Sequence, residues 1–170
     1  MLGYSYNSTS PEEIKAAYDK LVELKPSVAS FTSDAWRPQI LTGDLLIAMG
    51  YSVDASEMID SDPNLRYAIP SSGSSLWTDT VVIPKAAPNP DGAYAWINFM
   101  LQPAVGVEIT KRLNFATANQ VAYEKLPEKL RKNLTLFPPQ QVLAKCESIV
   151  PLPEEVTQLY DRYWTQLTSG

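Results

Sequence analysis

The sequence contains no histidine and only one cysteine, Cys146. The first absence removes the side chain that most often serves as a general base or as a metal ligand. A single cysteine excludes an internal disulfide, and without a neighbouring base its thiol is expected to be buried and inert. We therefore expect a protein without catalytic activity.

Long apolar runs and basic stretches are also missing. No segment is apolar for the roughly 20 residues that a membrane-spanning helix needs, and we expect no signal peptide in residues 1–4, which lack a basic start and an apolar stretch. Lys and Arg number 14 against 19 Asp and Glu, which gives a net charge of −5 and a pI near 4.7. Nucleic acid normally binds a basic patch, so we expect no nucleic-acid partner.

Motifs that bind cofactors or metals are absent as well. The sequence has no glycine-rich dinucleotide motif, no phosphate-binding loop and no nucleophile elbow, so we expect no cofactor. Carboxylates cluster at Asp54, Glu57, Asp60 and Asp62, but their spacing does not fit an EF-hand calcium loop. We expect this cluster to be a solvated acidic face and predict no metal site.

The sequence does contain an alternation of helical and strand-like segments. Residues 10–24 begin with Ser10-Pro11, a good helix start, and carry apolar residues at helical spacing. Residues 45–49 are fully apolar, which is typical of a central strand. Further strands are predicted at 28–31, 65–70 and 80–83, and further helices at 36–42, 55–59, 92–101, 104–111, 121–126 and 153–167. This alternation predicts an α/β fold, and 170 residues suffice for one domain or two small lobes.

Aromatic and acidic side chains occur together at the start of one predicted strand. In the stretch SLWTDTVVIP (residues 75–84), Trp77 and Asp79 stand two residues apart, so in an extended chain they point to the same side. An aromatic face beside a carboxylate suits an ammonium ligand, and the alternative is a core tryptophan beside an aspartate that caps a turn. Tyr51 follows the apolar run 45–49, at the strand end where open α/β sheets bind ligands. Ordinary loop packing is the alternative for Tyr51.

Several longer stretches of the sequence carry motifs of one known family. They lie in residues 3–9, residues 11–14, the Trp-x-Asp and Ile-Pro elements of 76–84, the helix 93–103 and the closing segment 159–164. Together these motifs resemble the spermidine/putrescine-binding proteins of polyamine ABC importers. The resemblance runs along almost all 170 residues and corresponds to the C-terminal half of the family's proteins.

The resemblance implies an α/β fold of the type II periplasmic-binding-protein class, here a partial bilobed fold with two interlobe crossings. It assigns residues 1–78 to part of the second lobe, 79–124 to part of the first lobe and 125–170 to a return to the second lobe. It also implies a periplasmic solute-binding protein, without a signal peptide in this sequence, that binds a polyamine at the crossings. The expected partners are spermidine or putrescine and the permease subunits of an ABC transporter.

The same resemblance implies roles for individual residues. Trp77 corresponds to a tryptophan that packs on the ligand's methylene chain, and Asp79 to an aspartate that pairs with an amine. Tyr51 takes the place of another cleft aromatic, usually tryptophan. A polar residue near the last crossing completes the family's site, and Glu147 is the expected residue, with Ser148 beside it.

A second hypothesis follows from the half of the family that the resemblance does not reach. That first half carries further cleft aromatics and acidic residues, and apolar strands such as 45–49 would lack neighbours without it. The alternative is therefore a truncated remnant that binds no ligand and self-associates as a homo-oligomer. In that case we expect no well-behaved monomer.

Overall fold

The computed structural model of the chain describes residues 2–169. Within that range the chain forms nine α-helices, one 3₁₀ turn at Lys25–Ser27 and one two-stranded sheet. The helices are α1 Pro11–Leu24, α2 Trp36–Thr42, α3 Ser52–Ser61, α4 Pro90–Met100, α5 Pro103–Leu113, α6 Gln120–Lys125, α7 Glu128–Arg131, α8 Gln140–Leu143 and α9 Glu154–Ser169. The strands are β1 Ser75–Leu76 and β2 Glu147–Ser148.

Helix ends form where the sequence supplies capping groups. The Ser10 hydroxyl accepts the amide of Glu13, the third residue of α1, at 3.3 Å. The side chains of Asn89 and Asn119 accept amides of α4 and α6 at 2.9 and 3.0 Å. Gly43 ends α2 with φ of 80°, a conformation that costs glycine little. The helices predicted from the sequence are confirmed, with ends shifted by a few residues.

None of the four predicted strands forms in the described part of the chain. Strands β1 and β2 pair in parallel, with Ser75 opposite Glu147 and Leu76 opposite Ser148. The four predicted segments have no strand partner in the described part of the chain, and a sheet forms only where two extended segments exchange backbone hydrogen bonds. These segments are residues 28–31, 45–49, 65–70 and 80–83.

The chain divides into two compact units. Unit 1 comprises Met1–Ala48, Ile69–Trp77 and Val142–Gly170, and unit 2 comprises Met49–Ala68 and Thr78–Gln141. The chain thus passes from one unit to the other at 48/49, 68/69, 77/78 and 141/142. The sequence predicted two crossings, near 79 and 125. The assignment of 1–78, 79–124 and 125–170 to lobes of a whole bilobed protein stays a prediction.

Helices α1 and α9 form the core of unit 1. Tyr18 of α1 stacks on Tyr163 of α9 with ring centroids 4.7 Å apart, and Leu167 is 2% exposed. Lys25 donates from Nζ to the Leu167 carbonyl at 2.6 Å, which places a cation at the last turn of α9. Contacts between α1, Lys25 and α9 therefore stabilise unit 1.

Helices α5 and α6 form the core of unit 2. A Cβ placed on Gly106 of α5 would lie 3.1 Å from the Cβ of Ala122, which is fully buried in α6. Tyr123 contacts Phe137 edge to face, with ring centroids 4.9 Å apart. Small residues thus let the two helices approach closely, and aromatic rings extend the same core.

Large apolar side chains remain uncovered in both units. In unit 1, Leu46 and Ile47 are 92% and 87% exposed, and in unit 2, Val81 and Val82 are 67% and 77% exposed. Burial of such a side chain is worth about 1.5–3 kcal/mol. These residues lie in predicted strands that have no strand partner in the described part of the chain, so both faces of each segment are exposed to solvent.

Two further predictions are corrected by burial. Asp54 in the first turn of α3 is 8% exposed, so the acidic cluster is not a fully solvated face. Cys146 is half-buried rather than buried, and its thiol lies 3.5 Å from the Val142 carbonyl.

Among residues 2–169, no helix is long and apolar enough to cross a bilayer.

Candidate ligand-binding site

The β1–β2 pair brings two of the four predicted site residues to one region of unit 1. Glu147 pairs with Ser75, and its amide donates to the Ser74 carbonyl at 3.0 Å. Trp77 directly follows the Leu76 position of β1, which pairs with Ser148. The register of one short parallel ladder therefore sets the positions of an aromatic residue and a carboxylate that lie 70 residues apart in the sequence.

Gly73 makes this strand pair possible. Its φ is 98°, and a Cβ at this position would lie 1.8 Å from the carbonyl oxygen of Lys145. Its amide donates to the Pro70 carbonyl at 2.9 Å, which closes a turn before β1. Only glycine permits both the backbone conformation and the approach to the chain that enters β2. The contact joins positions 73 and 145, and sequence analysis did not find it.

The Glu147 carboxylate is held by the first residues of the chain. Its Oε2 accepts the Ser5 hydroxyl at 2.5 Å, the Tyr6 amide at 3.1 Å and the Asn7 side-chain amide at 3.4 Å. Sequence analysis did not connect these residues with Glu147, because they lie about 140 positions away. The one available signal is that residues 3–9 form a motif of the resembled family.

Asn7 also continues the strand pair from the other side of β2. Its side-chain nitrogen donates to the Ser148 carbonyl at 2.9 Å, and its side-chain oxygen accepts the Val150 amide at 3.1 Å. An asparagine side chain carries the same donor and acceptor as a peptide unit, so it can stand in for a strand neighbour. The N-terminal segment is thus fixed against β2.

Tyr160 fixes the same N-terminal segment against α9. Its hydroxyl donates to the Ser8 carbonyl at 3.0 Å. Burial raises the pKa of this tyrosine above its ordinary value, and the nearby Tyr6 and Glu13 add to the effect, because they disfavour a phenolate. The N-terminal segment that contacts Glu147 is therefore held against β2 through Asn7 and against α9 through Tyr160.

The two predicted aromatic residues are both accessible. Trp77 is 56% exposed, so the alternative of a buried core tryptophan is wrong. Tyr51 is 60% exposed and occupies the N-cap position of α3, where its carbonyl accepts the Ala55 amide at 3.0 Å. Each ring has surface available for stacking.

The four predicted residues divide between the units and all lie close to chain crossings. Trp77 and Glu147 belong to unit 1, whereas Tyr51 and Asp79 belong to unit 2. Tyr51 follows the crossing at 48/49, Trp77 and Asp79 flank the crossing at 77/78, and Glu147 follows the crossing at 141/142. Asp79 is exposed and Glu147 is half-buried.

Comparison with known proteins gives a consistent family. The profile of the bacterial extracellular solute-binding protein family matches residues 2–138. The chain is 31% identical to a putrescine-binding periplasmic protein of Pseudomonas aeruginosa over 175 residues. It is 32% identical to a spermidine/putrescine-binding periplasmic protein of Salmonella typhimurium over 169 residues. Both alignments cover 99% of this chain and 48% of the relative.

Solved structures show the same relationship. A spermidine/putrescine ABC transporter substrate-binding protein from Streptococcus pneumoniae superposes with a TM-score of 0.86 at 32% identity, covering 99% of this chain and 52% of that one. A putative spermidine/putrescine ABC transporter protein from Listeria monocytogenes gives 0.90 at 33%, covering 98% and 51%. The predicted fold class is confirmed by these matches. The chain spans about half the length of the relatives that it matches.

Proposed function

The chain belongs to the bacterial extracellular solute-binding protein family, and we propose that it binds a polyamine such as putrescine or spermidine for an ABC importer. The observation that carries this proposal is that two exposed aromatic residues, Trp77 and Tyr51, and two carboxylates, Asp79 and Glu147, all lie within a few residues of the chain crossings. Relatives named for putrescine and spermidine binding align with 99% of the chain, which supports the choice of ligand class.

The proposed contacts follow from the chemistry of a polyamine. Such a ligand has ammonium groups separated by methylene chains. The Asp79 and Glu147 carboxylates would each accept charge-assisted hydrogen bonds from an ammonium group. The exposed rings of Trp77 and Tyr51 would cover the methylene chain and attract the cation, a contribution of about 0.5–2 kcal/mol for each ring.

Titration calorimetry with putrescine and spermidine tests the carboxylates. Asp79→Asn keeps the size of the side chain and removes its charge, so we expect a loss of about 1.5–3 kcal/mol in binding free energy. Asp60→Asn is the matched control, because Asp60 is an exposed aspartate outside the proposed site. Unchanged affinity in Asp79→Asn, or an equal loss in the control, would remove Asp79 from the site.

The chain offers matched controls for both aromatic residues. Trp77 and Trp96 are 56% and 58% exposed, and Tyr51 and Tyr94 are both 60% exposed. We expect alanine at Trp77 or Tyr51 to weaken polyamine binding, and alanine at Trp96 or Tyr94 to leave it unchanged. Equal effects within each pair would mean that the substitutions act through general stability and that the two site residues do not contact the ligand.

Location and partners follow from the same proposal. The curated relatives are named as periplasmic, and we propose the same location for this chain. Its macromolecular partner would be the permease of an ABC transporter. We propose ligand binding rather than catalysis, because the relatives are solute-binding proteins. The test is whether a polyamine is recovered chemically unchanged after prolonged incubation with the chain.

A second candidate is self-association, which the uncovered apolar segments favour. Leu46, Ile47 and Met49 are 92%, 87% and 98% exposed, and a second copy could bury them by strand pairing. We expect light scattering to give a mass above the 18.9 kDa of one chain, and Ile47→Lys to lower it. A stable monomer that binds spermidine at micromolar or lower concentration would contradict this candidate and support the first.

A further inference from the structure

The two oxygens of the Glu147 carboxylate have different surroundings. Oε2 accepts three hydrogen bonds, from the Ser5 hydroxyl, the Tyr6 backbone amide and the Asn7 side-chain amide. Oε1 accepts none from the residues that the structure describes. A carboxylate has about four acceptor positions, so one oxygen is close to saturated while the other keeps its full capacity.

No cation of the described chain neutralises this carboxylate. The nearest lysine in sequence, Lys145, donates from Nζ to the Ser71 carbonyl at 3.1 Å instead. All three donors on Oε2 are neutral groups. A half-buried carboxylate whose donors are all neutral groups has no cation of the described chain beside it, so it can attract a mobile cation, whereas a carboxylate in an ion pair with lysine or arginine would not.

The three donors also hold the carboxylate in one orientation. Ser5 is itself fixed, because its hydroxyl accepts a hydrogen bond from the Asn7 backbone amide at 3.1 Å while it donates to Glu147. Asn7 is fixed by its two bonds to the backbone of Ser148 and Val150. The donors are therefore part of a connected network rather than mobile side chains, which lowers the entropy that ligand binding would otherwise cost.

From this geometry we propose that Ser5 and Asn7 are positioning residues for ligand binding, and that Glu147 Oε1 is the atom that accepts the ammonium group. This inference rests on the proposed polyamine-binding function and specifies how one carboxylate acts. Ser5 and Asn7 do not touch the ligand. They saturate Oε2 and leave Oε1 as the only oxygen of Glu147 with capacity for a cation, within the described part of the chain.

A double-mutant cycle on the full chain tests the role of Ser5, with putrescine as the titrant in calorimetry. Ser5→Ala should weaken binding about five- to tenfold, and Ser5→Thr, which keeps the hydroxyl, should bind within about twofold of wild type. In a Glu147→Gln background, which already has weaker binding, Ser5→Ala should cause no further loss. A purely structural role of Ser5 would give the same loss in both backgrounds.

Two further variants keep the test specific. Asn7→Leu keeps the approximate size of the side chain and removes the donor to Oε2 without adding charge, so it should weaken putrescine binding at least as much as Ser5→Ala. Ser8→Ala is the control, because Ser8 bonds to Glu13 and Ser10 in the same segment and does not contact Glu147. Thermal unfolding of each variant establishes that the chain still folds.

The outcomes separate the inference from the function on which it rests. If wild type binds no polyamine, the proposed function fails and the inference falls with it. If wild type binds and Glu147→Gln binds equally well, the function stands and the inference is overturned. The inference is also overturned if Glu147→Gln weakens binding but Ser5→Ala and Asn7→Leu do not.

Discussion

Replacement of Gly73 by alanine should displace the strand pair that carries Trp77 and Glu147. The added Cβ would lie 1.8 Å from the Lys145 carbonyl oxygen, and real Cβ atoms essentially never approach closer than 3.0 Å. The neighbour is backbone, so it cannot turn away as a flexible side chain would. The loop must therefore move by more than 1 Å.

Gly43→Ala separates this clash from backbone strain. Gly43 has φ of 80°, and no atom lies within 4 Å of the position that an added Cβ would take, so its substitution carries the strain of positive φ alone, about 1–2 kcal/mol. Gly73→Ala adds the loss of the Gly73–Pro70 and Glu147–Ser74 backbone bonds, at about 1 kcal/mol each. We expect a total of about 3–4 kcal/mol against 1–2 for the control.

Urea unfolding measures the global cost, and hydrogen exchange of the Glu147 amide measures the local one. In Gly73→Ala this amide should exchange much faster than in wild type, because its bond to the Ser74 carbonyl is lost. In Gly43→Ala it should exchange as in wild type. The reasoning is refuted if both variants unfold within about 0.5 kcal/mol of each other and the Glu147 amide stays protected in both.

Two other substitutions test the cores of the units. Gly106→Val should destabilise unit 2 by about 1–3 kcal/mol, because even a single Cβ would lie 3.1 Å from the Ala122 Cβ and 3.3 Å from the Thr117 hydroxyl. If the double variant Gly106→Val, Ala122→Gly recovers none of the lost stability, this contact is contradicted. Tyr160 has a raised pKa in the folded chain, so its contribution to stability is complete below the ordinary tyrosine value, near pH 10, and is lost as the pH rises through the folded value. Urea unfolding as a function of pH should therefore show wild type losing stability relative to Tyr160→Phe above about pH 10, and parallel curves would contradict this.

The sequence by itself determined seven of the nine helices of the described chain and the family. Helix ends are local: Ser10, Asn89 and Asn119 cap helices through side chains only three residues from the amides that they accept. Trp77, Asp79 and Tyr51 could be singled out because an aromatic residue or a carboxylate beside an apolar run is visible in the sequence. The choice of Glu147 came from the family resemblance, and its role as a ligand contact stays a prediction.

Only the tertiary structure decided which strands form and how Glu147 is held. Residues 45–49 have the composition of a central strand, but strand formation requires a partner, and the described chain supplies one only for β1 and β2. The contact of Gly73 with Lys145 and the three donors on Glu147 join segments that lie about 70 and 140 positions apart. Composition and spacing carry no information about such contacts, because they depend on how α1, α9 and the β1–β2 pair bring distant segments together.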